Sequence, residues 1–248
     1  MGRYAISDLH GCLHLFREVK EMLSDGDVLY VLGDCGDRGL DSWRTIEAVL
    51  NDPQCVYMMG NHEDMLINVM RKWYEVFGDT EQEPSVIESF LLEDEDGYLL
   101  FRNGGGITFL DWAALDVDSR RYYYNALQLR PLYINFVNDN GILIHLSHAG
   151  FTPPMNESRD DLLWNREHFF DEWDESDNSV VVHGHTIIPH LVNYLEMNLC
   201  SYIDGGHIIF YANEHKIGID CASAFTNQIC LLNLDTFESM LIQGDDNE

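Results

Sequence analysis

Short apolar runs alternate with amphipathic stretches through the first sixty residues of the chain. Tyr4-Ala5-Ile6, Val28-Leu29-Tyr30-Val31-Leu32 and Val56-Tyr57-Met58-Met59 read as strands. Between them Leu13, Phe16, Val19, Met22 and Leu23 recur at helical spacing, and residues 45–50 continue a second helix. Strands interleaved with helices predict βαβ units around a mainly parallel sheet, an α/β fold. From about residue 64 to 130 the alternation stops and the pattern is mostly helical, so residues 71–130 are expected to form a helical cap inserted between strands. Strands resume at 132–137, 142–146 and 180–182, and again at 208–211, 217–221, 229–232 and 240–242. With no internal repeat and no low-complexity linker, residues 1–248 are expected to form a single domain holding two sheets.

Composition narrows the function classes. The 248 residues carry a formal charge of −29, yet 46% are hydrophobic, enough to build a core and too many for a disordered acidic tail. Lys is confined to Lys20, Lys72 and Lys216, which argues against a protein that grips nucleic acid through its phosphates. No apolar run reaches the ~20 residues of a membrane span, and the N-terminus lacks a signal-peptide core. The six Cys (Cys12, Cys35, Cys55, Cys200, Cys221, Cys230) are scattered without a CxxC pair, which reads as reduced thiols. The expectation is a cytoplasmic protein with neither a nucleic-acid nor a membrane partner.

The chemistry gathers at strand ends. The first strand runs into Asp8-Leu9-His10-Gly11, the second into Gly33-Asp34-Cys35-Gly36-Asp37-Arg38-Gly39, and the third into Gly60-Asn61-His62-Glu63. Later strands run into His148-Ala149-Gly150 and His183-Gly184-His185-Thr186. In open α/β sheets the loops after the strands converge on one crevice. Carboxylate, imidazole and amide oxygen together suit Mn²⁺, Fe or Zn²⁺ better than Ca²⁺.

DxHG, GDxxDRG, GNHE, HAG and GHT, in this order over residues 3–221, resemble the phosphoprotein phosphatase family of calcineurin-like metallophosphoesterases. That resemblance implies a central β-sandwich flanked by helices and two bound metals, Mn²⁺ being the first choice. Asp8 and His10 would hold the first metal, Asp34 would bridge both, and Asn61, His148 and His185 would complete the second. Two cations ~3.5–4 Å apart can share a hydroxide and aim it in line at phosphorus. His62 would be the acid for the leaving group, with Asp37 orienting it. Arg38 would fork onto two phosphoryl oxygens, and Arg166 in Leu163-Trp164-Asn165-Arg166 resembles the family's second clamp.

Several residues carry rival readings. Arg166 lies among Glu157, Asp160, Asp161 and Glu167, so a salt-bridged helix face competes with a clamp. His145 and His183 fall out of register with the motifs and read as strand-end or supporting residues. Cys12 and Cys35 read as small buried fillers. Asn103-Gly104-Gly105-Gly106-Ile107-Thr108 resembles a glycine-rich stretch of bacterial members, either a plain loop or a wall facing substrate. Cys35-Gly36 stands where the family has larger apolar residues. Ala149 replaces a Gly of eukaryotic members and the eukaryotic C-terminal signature is missing, which points to the bacterial and phage branch (lambda phosphatase-like). The absence of the second His of a GHxH motif disfavours the nuclease and cyclic-nucleotide branches.

The expected function is therefore a dinuclear metal-dependent phosphomonoesterase acting on phosphoserine and phosphothreonine of proteins, or on a small phosphoester. The alternative, a symmetrical dinucleoside tetraphosphatase, shares the same motifs and would favour a basic groove beyond the metals. Residues 71–130 offer only Arg71, Lys72, Arg102, Arg120, Arg121 and Arg130 for such a groove, amid many acids.

Overall fold

The period of two in the apolar runs sorts each strand's side chains onto two faces. The computed structural model describes residues 1–154, 157–171, 173, 177–195, 202–204 (backbone only) and 206–244. Its strands are β1 (Arg3–Ile6), β2 (Val28–Val31), β3 (Cys55–Tyr57), β4 (Tyr133–Val137), β5 (Leu143–Ser147), β6 (Ser179–His183), β7 (Tyr202–Asp204), β8 (Ile208–Tyr211), β9 (Lys216–Gly218), β10 (Gln228–Asn233) and β11 (Ser239–Gln243). They form two mixed sheets, ordered β11-β10-β1-β2-β3 and β4-β5-β6-β9-β8-β7. β1, β2 and β3 are parallel to one another, as are β5, β6 and β9.

Alternate residues build the layer between the sheets. Ala5, Cys230 and Leu232 of the first sheet meet Ile144, Leu146, Val180, Val182, Ile208 and Phe210 of the second in one buried cluster. Their neighbours Ile6, Ile229 and Leu231 face outward into the helices on the first sheet's far side. Those helices include α1 (Leu13–Met22) and α2 (Ser42–Asn51), both at the positions the periodicity predicts.

Between β3 and β4 the chain is helical, as expected: α3 (Asn61–Phe77), α4 (Pro84–Glu93), α5 (Glu95–Arg102), α6 (Gly106–Ala113) and α7 (Val117–Gln128). Trp73 on α3 lies edge-on to Phe90, Phe109 and Trp112 from α4 and α6, so an aromatic cluster ties these helices to the one that begins at Asn61. The short helices α8 (Arg159–Trp164), α9 (Ile188–Tyr194) and α10 (Ser223–Thr226), and the strand β7, escape the sequence reading. Each is too brief for its periodicity to register. The strand expected at 217–221 ends instead at Gly218: Ile219 N–H makes the last bond to β6, at His183 O, and the Asp220 carbonyl then accepts from Ile188 N–H at the start of α9 instead of from a strand. Cys200 lies outside the described residues. No helix among the described residues is long and apolar enough to cross a membrane.

Lys216 on β9 is fully buried; its Nζ donates to Thr152 Oγ1 at 2.6 Å and to the His168 carbonyl. Burial lowers its pKa from 10.5 to about 8, against the pull of Asp171 and Glu157. Between those two values the unfolded chain binds the proton and the folded chain does not, so stability rises with pH across that window. Relative to Lys216→Met, the wild type is expected to gain about 3 kcal/mol from pH 7.5 to 10.5. Urea melts at both pH values check this, and an unchanged difference between the two proteins would refute it.

Candidate active site

Five strand-end loops meet at one edge of the sandwich, where a cavity of about 540 Å³ opens. Asp8, His10, Asp34, Arg38, Asn61, His62, Arg166 and His185 line it, all of them residues singled out in the sequence. His148 and Asp37 stand just behind them, buried. The backbone is strained where these side chains turn inward: Asp8, His10, Asp34, Asp37, Arg38 and His185 all have φ between 43° and 69°. For residues other than Gly that left-handed region costs about 1 kcal/mol or more each, a cost usually tolerated for function.

Asp34 sits at the centre. Its Oδ2 lies 3.6 Å from His10 Nε2 and its Oδ1 lies 3.5 Å from His148 Nε2. It belongs to two sets of converging donors, one with His10 and His62 and the other with Asp8 and His148. The imidazoles are aimed by their far nitrogens. His10 Nδ1–H donates to Gly36 O at 2.9 Å, and His148 Nδ1–H donates to Leu32 O at 2.8 Å, leaving each Nε2 lone pair toward the cavity. Asn61 Oδ1 lies 2.8 Å from His148 Nε2 and 3.0 Å from His185 Nδ1. His185 Nε2 is buried without a partner. Lone pairs directed at shared points, an orphaned imidazole nitrogen and crowded buried carboxylates fit a site for divalent cations.

Electrostatics tell the same story. Burial, together with the charges of Asp8 and Glu63, raises the Asp34 carboxyl well above the usual range. Burial, with His62 and Arg38 nearby, pushes His10 well down, and burial with His148 does the same to His185. Acids and imidazoles are thus both held away from their charged forms, the cost expected of polar groups gathered away from water.

A second network lies beside the first. His62 Nδ1–H donates to Asp37 Oδ2 at 2.6 Å. Arg38 donates from Nη2 to His62 Nε2 at 3.0 Å and from Nη1 to His10 Nε2 at 2.6 Å. Burial pushes Asp37 up to about 7, and burial with Arg38 pushes His62 down to about 3. The imidazole is therefore neutral, and because Arg38 donates to Nε2 its single ring proton sits on Nδ1, toward Asp37. Arg166 follows α8 rather than lying on its face, and its Nε donates to Thr186 Oγ1 at 2.9 Å inside the cavity. His145 lies on the outer face of β5 against Tyr133 and Phe151, its Nδ1 2.6 Å from Tyr133 Oη. His183 is buried at the end of β6, its Nε2 2.7 Å from Tyr211 Oη. Both stand apart from the lining of the cavity.

Four residues at the site were given no role in the sequence reading, although Glu63, Thr186 and Thr108 stand inside segments it singled out. Glu63 accepts the N–H groups of Asp34, Cys35 and Gly60 at 2.8 Å each and the Tyr57 hydroxyl at 2.7 Å, pinning two of the converging loops together. Asp220 lines the cavity just after β9, and burial with Asp8 raises its pKa; its place after an apolar run was the available signal. Thr186 steadies Arg166. Thr108 Oγ1 donates to Asp37 Oδ1 at 2.5 Å, so the glycine-rich segment of the inserted helices is a wall of the site and not a remote loop. At the Cys35-Gly36 departure the space is taken by neighbours: a Cβ at Gly36 would stand 2.7 Å from Ile46 Cδ1 and 3.3 Å from Thr108 Cγ2, so a larger residue would have to displace the end of the Ile46 side chain. Cys35 and Cys12 are buried, and burial raises the thiol of Cys12 to about 11, as inert fillers require.

Comparison with known proteins agrees with this geometry. The family model for calcineurin-like phosphoesterases matches residues 3–189. A symmetrical bis(5'-nucleosyl)-tetraphosphatase of Buchnera aphidicola subsp. Acyrthosiphon pisum is 28% identical over 161 residues, 56% of this chain and 59% of that relative. The match therefore spans less than two-thirds of the relative's length. A crystal structure of a proposed diadenosine tetraphosphatase is 14% identical with a TM-score of 0.62, covering 99% of this chain and 95% of the other. A cold-active protein tyrosine phosphatase is 16% identical with a TM-score of 0.51, covering 98% and 78%. At such identities the two structures speak for the fold alone. With the family's pattern spread over five strand-end loops that this fold brings to one cavity, the chain belongs to the calcineurin-like phosphoesterases, metal-dependent hydrolases of phosphoesters.

Proposed function

We propose that this chain hydrolyses dinucleoside polyphosphates, cleaving a tetraphosphate bridge symmetrically. The observation that carries the reading is the match to symmetrical bis(5'-nucleosyl)-tetraphosphatases. Beside the donor cluster the cavity is lined by Trp164, Ile187, His190 and Phe225, which offer apolar and aromatic surface to a nucleoside. This reverses the order suggested by the motifs alone, which put phosphoserine and phosphothreonine first.

In this reading Asp8, His10, Asp34, Asn61, His148 and His185 would hold two divalent cations, with Mn²⁺ the first choice, which would supply an activated water and charge neutralisation for in-line displacement. Arg38 and Arg166 grip the oxygens of the phosphoryl group under attack, stabilising the charge that builds there. When Arg38 turns its fork onto the phosphate it releases His62 Nε2, which then faces the departing oxygen. Asp37 keeps the imidazole oriented through Nδ1 and balances its charge once Nε2 also carries a proton. Water adds to phosphorus as the bridging P–O bond breaks; the proton that the water gives up balances the one that the departing diphosphate takes up, and His62 Nε2 is the group placed to relay it.

The test compares kcat/KM for diadenosine tetraphosphate, a phosphoserine peptide and p-nitrophenyl phosphate in excess Mn²⁺. Preference for the tetraphosphate with ADP as its nucleotide product is the expected result. Preference for the peptide, or release of ATP and AMP, would overturn the reading.

A further inference from the structure

The chain has only 14 Lys and Arg, and most stand beside acids or are buried. Arg3 pairs with Asp139 and Asp235, Lys20 with Asp52, Lys72 with Asp94 and Asp96, Arg121 with Asp79, and Arg159 with Asp64. Three arginines, Arg38, Arg102 and Arg166, instead line the cavity of the candidate site. Arg38 and Arg166 have their hydrogen bonds within it. The Arg102 side chain has neither a hydrogen bond nor an ion pair among the described residues. It is also the one base of the six in residues 71–130 that lines this cavity.

A glycine turn sets the position of Arg102. α5 ends at this residue, and the chain passes through Asn103 to Gly104, whose carbonyl accepts the Arg38 N–H at 3.0 Å. Gly104 has φ +91°, and a Cβ there would stand 3.1 Å from Arg38 Cγ. The turn carrying Arg102 is therefore fastened to the backbone of the residue proposed to clamp the reacting phosphoryl group. A phosphoanhydride places its next phosphate one bridging oxygen away from the phosphorus under attack, whereas a phosphomonoester places carbon there.

We propose that Arg102 is a specificity-determining residue that holds the phosphate adjacent to the one attacked, selecting polyphosphates over monoesters. The proposal rests on the polyphosphate reading of the site and names the residue that enforces it. A guanidinium free of carboxylate partners has its donors available for that second phosphate. The rival role is local, because a cation at the last turn of α5 also favours the helix dipole. Arg102→Lys keeps that cation and loses the fork; Arg102→Gln loses both.

The experiment measures binding of ADP by equilibrium dialysis in excess Mn²⁺, and inhibition of p-nitrophenyl phosphate turnover by ADP and by orthophosphate. Both are done on the wild type and on the two variants. In Arg102→Gln the ratio of the ADP constant to the orthophosphate constant is expected to rise roughly tenfold, with Arg102→Lys in between. Parallel shifts in both constants, or no shift in either, would overturn the role. A wild type that prefers the phosphoserine peptide sinks the tetraphosphatase reading. The ADP-to-orthophosphate ratio still decides for or against Arg102.

Discussion

Asp34→Asn is expected to lower turnover by a factor of about 10³ or more and to reduce bound metal from two ions per chain to one or none. A carboxylate common to both donor sets would serve both cations, so several kcal/mol of charge stabilisation would be at stake in its loss, and each 1.36 kcal/mol is a factor of ten. The geometry singles out Asp34 because its two oxygens reach toward different imidazoles, His10 and His148, and because both donor sets include it. An amide offers a single acceptor and no charge. The same substitution should act in the opposite direction on the metal-free fold. Asp8, Asp34, Glu63 and Asp220 are crowded and buried, and in the presence of a chelator removal of one carboxyl relieves that crowding. The variant should therefore resist urea better than the chelated wild type. Elemental analysis and urea melts report the two effects separately. Full metal occupancy with normal turnover would remove Asp34 from its proposed role.

His62→Asn is the second large effect. It should retain both metals and lose a factor of ~10²–10⁴ on an alkyl phosphoester such as phosphoserine. On diadenosine tetraphosphate the loss should be smaller, because a departing diphosphate is a far weaker base than an alkoxide and needs less help from an acid. The network explains why one ring carries the role. Asp37 holds Nδ1 at 2.6 Å, Thr108 holds Asp37, and Arg38 keeps Nε2 occupied until it turns to a phosphate. Steady-state rates on the two substrates, with metal content measured in parallel, read this out. Equal losses on both would assign His62 to positioning the metals or Arg38 rather than to the leaving group.

Much of the site was legible in the chain because the chemistry sits in loops at the ends of strands. Each apolar run marks where a loop begins, so Asp8, Asp34, Asn61, His148 and His185 could be placed at one edge of the sheets before their distances were known. The helices between β3 and β4 were legible as helices. Less visible were residues whose importance lies in a partner far along the chain: Glu63, which reaches back to Asp34 and Cys35, and Thr108, which reaches back across 71 residues to Asp37. The short α8 left one local trace: Ser158 and Asp161 at capping-box spacing, which the structure shows bonded reciprocally.

What the amino-acid order determined by itself is the kind of chemistry and its rough location. The periodicity of apolar positions selects an α/β fold with two sheets, and the residue types after each strand select a cluster able to hold divalent cations. What only the tertiary structure decided is which groups share a cavity. It placed Arg166 off the helix face and beside Thr186, put the glycine-rich turn against Asp37 and Arg38, and brought one base of the inserted helices, Arg102, to the same opening. The physical reason is range. Strand and helix preferences are local and can be read in windows of a few residues, whereas hydrogen bonds and charge in a cavity depend on loops brought together from across the chain.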